Sequence, residues 1–171
     1  MTTANKITIF RILMIPLFLV LIYSGASYWA LAVYILACVS DTVDGYVARH
    51  YHQVTDFGKF MDPLADKMLV LSAMCYFVEI SQMPGWIVAA VLFREFAVSG
   101  LRLVSVEQGR VIAAGWSGKL KTTVKMIGIV CMLAFPQSDI GNWIWNILIL
   151  TTTIGSGVEY FWKNRDVFHK L

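Results

Sequence analysis

The chain has 171 residues, enough for one domain, and is 58% hydrophobic but only 15% charged. A soluble domain is about half apolar and about a quarter charged, so the composition excludes an ordinary water-soluble globule and points to a membrane protein. The formal charge of +3 is small; no nucleic-acid partner is expected, and where the charges fall matters more than their sum. Three cysteines, Cys38, Cys75 and Cys131, stand singly in separate apolar runs, without a CxxC or Cys/His cluster that would suggest zinc or a disulfide framework.

A membrane-spanning helix needs about 20 mostly apolar residues. Six such runs occur, roughly 7–23, 29–49, 60–79, 86–104, 120–135 and 143–162. The first is followed by SGAS, which could mimic a signal-peptide cleavage site, but cleavage there would remove a whole span. The second ends in DTVDGYVAR, and the third opens with FGKFMDPLADK. The fourth contains REFAVSGLR, the fifth begins within GKLK, and the sixth starts at Trp143 with Trp145 close behind, as in an interfacial aromatic belt. The expected fold is all-α, a bundle of six transmembrane helices forming a single domain over 1–171.

Orientation follows from lysine and arginine. The connections 24–28, 80–85 and 136–142 contain neither, while all 14 such residues lie in segments alternating with them. Both termini, and the loop joining the second and third runs, are expected on the cytoplasmic side of the cell membrane.

Asp41 and Asp44 are spaced i, i+3, and Asp62 and Asp66 are spaced i, i+4, so each pair shares one helix face. Asp41 lies about 12 Å of helix inward from Arg49, and Asp66 about as far inward from Gly58. The two pairs can therefore meet at matching depths. An aspartate near mid-membrane costs roughly 2.5–3.5 kcal/mol, and four together repel one another. Protonation or cations would relieve this. Oxygen-only ligands favour a hard ion, Mg²⁺, Mn²⁺ or Ca²⁺, and two divalent ions would neutralise four carboxylates. Such a centre suits phosphoryl transfer. Gly45 and Gly58 allow close approach, and Arg49 offers a planar fork for phosphate. Simple pairing with Lys67, Arg49 or Arg94 is the blander account, and on the acids alone a proton or divalent-cation transporter is a rival.

Asp41, Asp44, Gly45, Ala48, Arg49, Gly58, Asp62 and Asp66 together resemble the complete signature of the CDP-alcohol phosphotransferases, matching at eight positions. The resemblance implies a six-helix membrane enzyme, usually a homodimer, using Mg²⁺ or Mn²⁺ to transfer a phosphatidyl-type group from a CDP-linked donor to an alcohol with release of CMP. It implies that the four aspartates hold two metal ions and that Asp66 is also the general base. It further implies that Asp44, Gly45, Ala48, Arg49 and Gly58 contact the CDP moiety, with Asn5, Thr8 and Arg11 on the nucleotide side.

The stretches 94–102 and 118–126 are similar to those of bacterial phosphatidylglycerophosphate synthases. This implies CDP-diacylglycerol as donor and sn-glycerol 3-phosphate as acceptor. Arg94, Arg102, Lys119 and Lys121 are the candidate acceptor-phosphate ligands, and Glu95 could orient Arg94. Lys125 and Arg110 read better as topology determinants or contacts to anionic membrane lipids. Inositol phosphate and phosphatidylglycerol remain alternative acceptors. His50 and His52 read as solvated, and Gly155 and Gly157 as helix-packing positions.

Overall fold

The computed structural model describes the backbone of residues 3–50, 56–107 and 115–165, and side chains within 7–40, 61, 64–106 and 115–165. The described residues form six α-helices and no strand: α1 (Thr3–Tyr23), α2 (Ser27–His50), α3 (Asp56–Glu79), α4 (Gly85–Glu107), α5 (Trp116–Ala134) and α6 (Asp139–Lys163). The all-helical expectation holds, with one helix for each expected span. The helices begin one to four residues before the apolar runs, because hydropathy marks the apolar middle of a helix and not its polar ends.

Among the described residues, no helix is long and apolar enough to cross a membrane. Sequence accounts for this in the later helices. α4 carries Arg94, Glu95 and Arg102, and α5 carries Lys119, Lys121 and Lys125. α6 sets Asn142, Asn146 and three consecutive threonines among its isoleucines and leucines. The six expected spans correspond to six helices, but not to six uninterrupted apolar stretches.

The chain divides into two compact units. The first comprises Met1–Phe77 and Ile129–Pro136, and the second Val78–Gly128 and Gln137–Leu171. Each unit draws on two separate pieces of chain, and α5 contributes residues to both.

In the first unit α1 and α2 pack together. Their connection is a helix stop of the Schellman type. Gly25 adopts φ +82, its N–H donates to the Ile22 carbonyl at 3.2 Å, and the Ala26 N–H donates to the Leu21 carbonyl at 3.0 Å. So short a connection returns the chain antiparallel. The buried face of α1 reads Thr8, Arg11, Ile15, Phe18 and Ile22, at helical spacing, with its polar end towards the N-terminus. Phe18 meets Tyr34 of α2 with ring centroids 5.7 Å apart, and Tyr23 meets Tyr76 of α3 edge-on at 5.6 Å. Pro16 lies inside α1, where it has no N–H to give to the carbonyl one turn back.

In the second unit α4 packs against α6. Ser138 caps α6 by accepting the Gly141 N–H at 3.2 Å, and a Cβ on Gly141 would stand 2.7 Å from the Ser138 hydroxyl oxygen. Asp139 in the first turn and Lys163 in the last complement the helix dipole. At the far end the Asn164 amide nitrogen Nδ2 donates to the Tyr160 carbonyl at 2.7 Å. Asn146 on the buried face of α6 donates to the Gln82 carbonyl at 2.9 Å, fixing the α3–α4 connection. At Gly128, α5 approaches α6 closely enough that a Cβ would lie 3.1 Å from Trp145 and 3.2 Å from Ile149.

Candidate active site

The acidic motif lies on α2 and α3, both in the first unit. Helical backbone runs through 41–50 and 56–66, as the two spacings require. The side chains of Asp41, Asp44, Gly45, Ala48, Arg49, Gly58 and Asp62 lie outside the described residues, as does that of Asn5. Asp66 is described. It is half-buried, follows the buried Ala65, and precedes the buried Leu69 and Val70 by a turn. It lies within electrostatic reach of the buried Tyr34 of α2, so the two acid-bearing helices are neighbours there. Thr8 and Arg11 are buried on α1, at 0% and 1% exposure, and neither is without a partner.

Among the described residues, no group of three or more His, Cys, Asp or Glu could hold a metal ion. Only one of the four motif aspartates is among those residues. The donor chemistry of the four, carboxylate oxygen throughout and paired on regular helix, suits a hard divalent ion.

A second constellation is fully described and belongs to the second unit. Glu95 of α4 receives Lys121 and Lys125 of α5, one helical turn apart, on the same carboxylate oxygen, Oε1. Lys125 Nζ is 2.9 Å away, and Lys121 makes the tighter contact. Arg94 Nη1 lies 3.6 Å from the other oxygen, Oε2. Side-chain exposure is 10% for Arg94, 12% for Glu95, 6% for Lys121 and 7% for Lys125, so the group is withdrawn from solvent. Arg94 Nε is buried with no hydrogen-bond partner. Gly157 of α6 makes room for the arginine stem, since a Cβ there would be 3.2 Å from Arg94 Cγ. Among the described residues, three ion-paired cations face one carboxylate, an excess of two positive charges.

Two of the four candidate acceptor ligands, Arg94 and Lys121, are thus brought together, and Lys125 joins them. Arg102 stands outside this ion-paired set but within electrostatic reach of Arg94. Its Nε donates to the Tyr160 hydroxyl at 3.2 Å, and its guanidinium lies 5.6 Å from that ring's centroid. Lys119 is exposed at the start of α5. Reading the sequence linked Glu95 to Arg94 but not to the lysines, and it set Lys125 aside. The available signal was the i, i+4 spacing of Lys121 and Lys125, which puts both on one face of α5. Of the other residues singled out, Trp143 is exposed and Trp145 half-buried, a Cβ on Gly155 would meet nothing within 4 Å, and the side chains of His50, His52 and Arg110 lie outside the described residues.

The model of the family described as CDP-alcohol phosphatidyltransferase matches residues 1–155. The chain belongs to the CDP-alcohol phosphatidyltransferase family. It is 39% identical to a CDP-diacylglycerol–glycerol-3-phosphate 3-phosphatidyltransferase of Bacillus subtilis (strain 168), over 95% of this chain and 94% of that protein. It is 37% identical to a probable phosphatidylglycerophosphate synthase of Mycobacterium tuberculosis (strain H37Rv), over 92% of this chain and 78% of that protein. A CDP-diacylglycerol–glycerol-3-phosphate 3-phosphatidyltransferase of Escherichia coli (strain K12) is 36% identical over 77% of this chain and 76% of its own length. The family match includes α1 to α5 and most of α6, so both the acidic motif and the buried cationic cluster fall within it.

Proposed function

We propose that this chain is a phosphatidylglycerophosphate synthase, transferring the phosphatidyl group of CDP-diacylglycerol to sn-glycerol 3-phosphate with release of CMP in phospholipid biosynthesis. The observation that carries this is the match, over nearly the whole of both chains, to a relative named for that reaction. The buried excess of positive charge on α4 and α5 agrees with an acceptor that already carries a phosphate.

Asp41, Asp44, Asp62 and Asp66 would hold two divalent ions, Mg²⁺ or Mn²⁺, which when bound supply Lewis-acid stabilisation of phosphate oxygens. Asp66 accepts the proton of the acceptor hydroxyl as that oxygen attacks the phosphorus bearing diacylglycerol. The bond from that phosphorus to the bridging oxygen breaks, and CMP leaves. Arg49 offers two parallel hydrogen bonds to the CMP phosphate. Asp44, Gly45, Ala48, Gly58, Asn5, Thr8 and Arg11 line the cytidine side. Arg94 and Lys121 seat the acceptor's phosphate, with Arg102 and Lys119 on its approach.

The chain acts as one catalytic domain over 1–171 and as a homodimer. It spans the cell membrane with both termini and the active site cytoplasmic. The exposed Leu13, Val20, Phe93, Phe96, Ile140 and Ile144, on helices from both units, support a surface bathed in lipid. So do hydroxyls that bond back to their own helix, such as Ser105 to the Leu101 carbonyl at 2.7 Å and Thr152 to the Leu148 carbonyl at 2.7 Å. Purified chain should release CMP from CDP-diacylglycerol with sn-glycerol 3-phosphate in Mg²⁺ or Mn²⁺. Faster release with inositol phosphate or phosphatidylglycerol would overturn the acceptor, and no release with any acceptor would overturn the activity.

A further inference from the structure

We propose that Glu95 is a positioning residue whose carboxylate gathers Lys121, Lys125 and Arg94 into a preassembled seat for a phosphate monoester dianion, so that the enzyme selects acceptors by charge. This rests on the acceptor reading above and deepens it. A bare set of two lysines and an arginine would spread by mutual repulsion. A carboxylate at their centre prevents this, because each of its oxygens holds one side of the set: Oε1 the two lysines of α5, and Oε2 the neighbouring arginine.

Simple charge neutralisation within a helix bundle would match cations to anions. Among the described residues the ion-paired set counts three to one, with all four side chains withdrawn from solvent. Buried charge without a counter-charge is costly, and the excess of two is what a phosphate monoester dianion balances. Arg94 Nε, buried and without a partner, provides a donor that such a ligand can take up. Gly157 lets the arginine stem lie against α6, which limits its freedom to swing away. Selection follows from charge. A free alcohol leaves two positive charges unmatched, a phosphodiester such as phosphatidylglycerol leaves one, and a phosphate monoester leaves none.

The test compares purified full-length wild-type, Glu95→Gln and Glu95→Asp chains. Glu95→Gln should raise the KM for sn-glycerol 3-phosphate about tenfold or more, the scale of one charged hydrogen bond, while the KM for CDP-diacylglycerol stays within about twofold. Glu95→Asp should recover part of the loss. Separately, without substrates, an amine-reactive reagent should label Lys121 and Lys125 several-fold faster in Glu95→Gln, because the carboxylate no longer holds the two amines in ion pairs. Inorganic phosphate should slow that labelling in the wild type. Unchanged labelling and an unchanged acceptor KM would overturn the proposal, as would equal rises in both KM values, which indicate general loosening. If Glu95→Gln does not fold, Glu95→Asp carries the same readouts, with smaller shifts in the same directions. If the wild type uses no phosphorylated acceptor, the acceptor reading fails on its own, while labelling and its slowing by phosphate still decide the role of Glu95.

Discussion

Asp66 and Glu95 are both carboxylates set in helices, yet their neighbours assign them different work. Asp66 belongs to an all-acid motif and is the proposed base; Glu95 sits among cations and gathers them. Replacing Asp66 with Asn should lower kcat by roughly 10²–10⁴, the usual worth of a positioned general base, when single-turnover CMP release is followed. Asp41→Asn or Asp62→Asn should abolish activity while the protein still inserts and purifies, and removing one carboxylate from a repelling set should leave the ion-free form no less heat-stable. Near-normal turnover in either variant would refute the two-ion centre. Chelation with EDTA should stop CMP release, and Mg²⁺ or Mn²⁺ should restore it. Helical backbone through 41–50 and 56–66 is what the spacing of the acid motif calls for, while the aspartate side chains other than that of Asp66 lie outside the described residues. The cationic cluster was legible only in part. Spacing put Lys121 and Lys125 together, but which face of α5 turns towards Glu95 depends on helix rotation, which no single-helix period encodes. The pairing of Arg102 with Tyr160, 58 residues away, left no local trace at all.

Among the helices, glycine does three separate jobs, and substitution separates them. At Gly128 a side chain runs into Trp145 and Ile149, so Gly128→Val should cost about 1–3 kcal/mol as overpacking. At Gly155 a Cβ meets nothing within 4 Å, so Gly155→Ala should stabilise by up to about 1 kcal/mol through helix propensity alone. At Gly25 a Cβ is also unobstructed, but φ is +82, so Ala should cost about 1–2 kcal/mol whatever room there is. Thermal unfolding of the three variants in detergent should show two falls and one rise. The number of helices was legible because each apolar run is bounded by turn residues. The apolar runs begin one to four residues after the helices do, since first turns and caps such as Ser138 are polar and carry no hydropathic signal.

For the molecule as a whole, the proposed topology can be tested by labelling from outside the cell. In a variant lacking Cys38, Cys75 and Cys131, single cysteines at Ser24, Ser81 and Gln137, all exposed, should react with an impermeant thiol reagent, and one at Thr55 should not. Gln137 serves better than its neighbour Ser138, whose loss would remove the cap of α6 at about 1 kcal/mol. The reverse pattern would put the active site on the side away from cytoplasmic glycerol 3-phosphate and refute the orientation.

The two compact units alternate along the chain: the first is interrupted by most of the second and resumes at Ile129. No single cut therefore yields either one intact. During synthesis, the first unit waits for the end of α5 to emerge, and the second waits for α6. A ribosome stalled after Phe77 would hold the whole aspartate motif but lack residues 129–136, so such a nascent chain should be readily digested by protease. Circular permutation, which can release a contiguous module from its neighbours, has no module to release here.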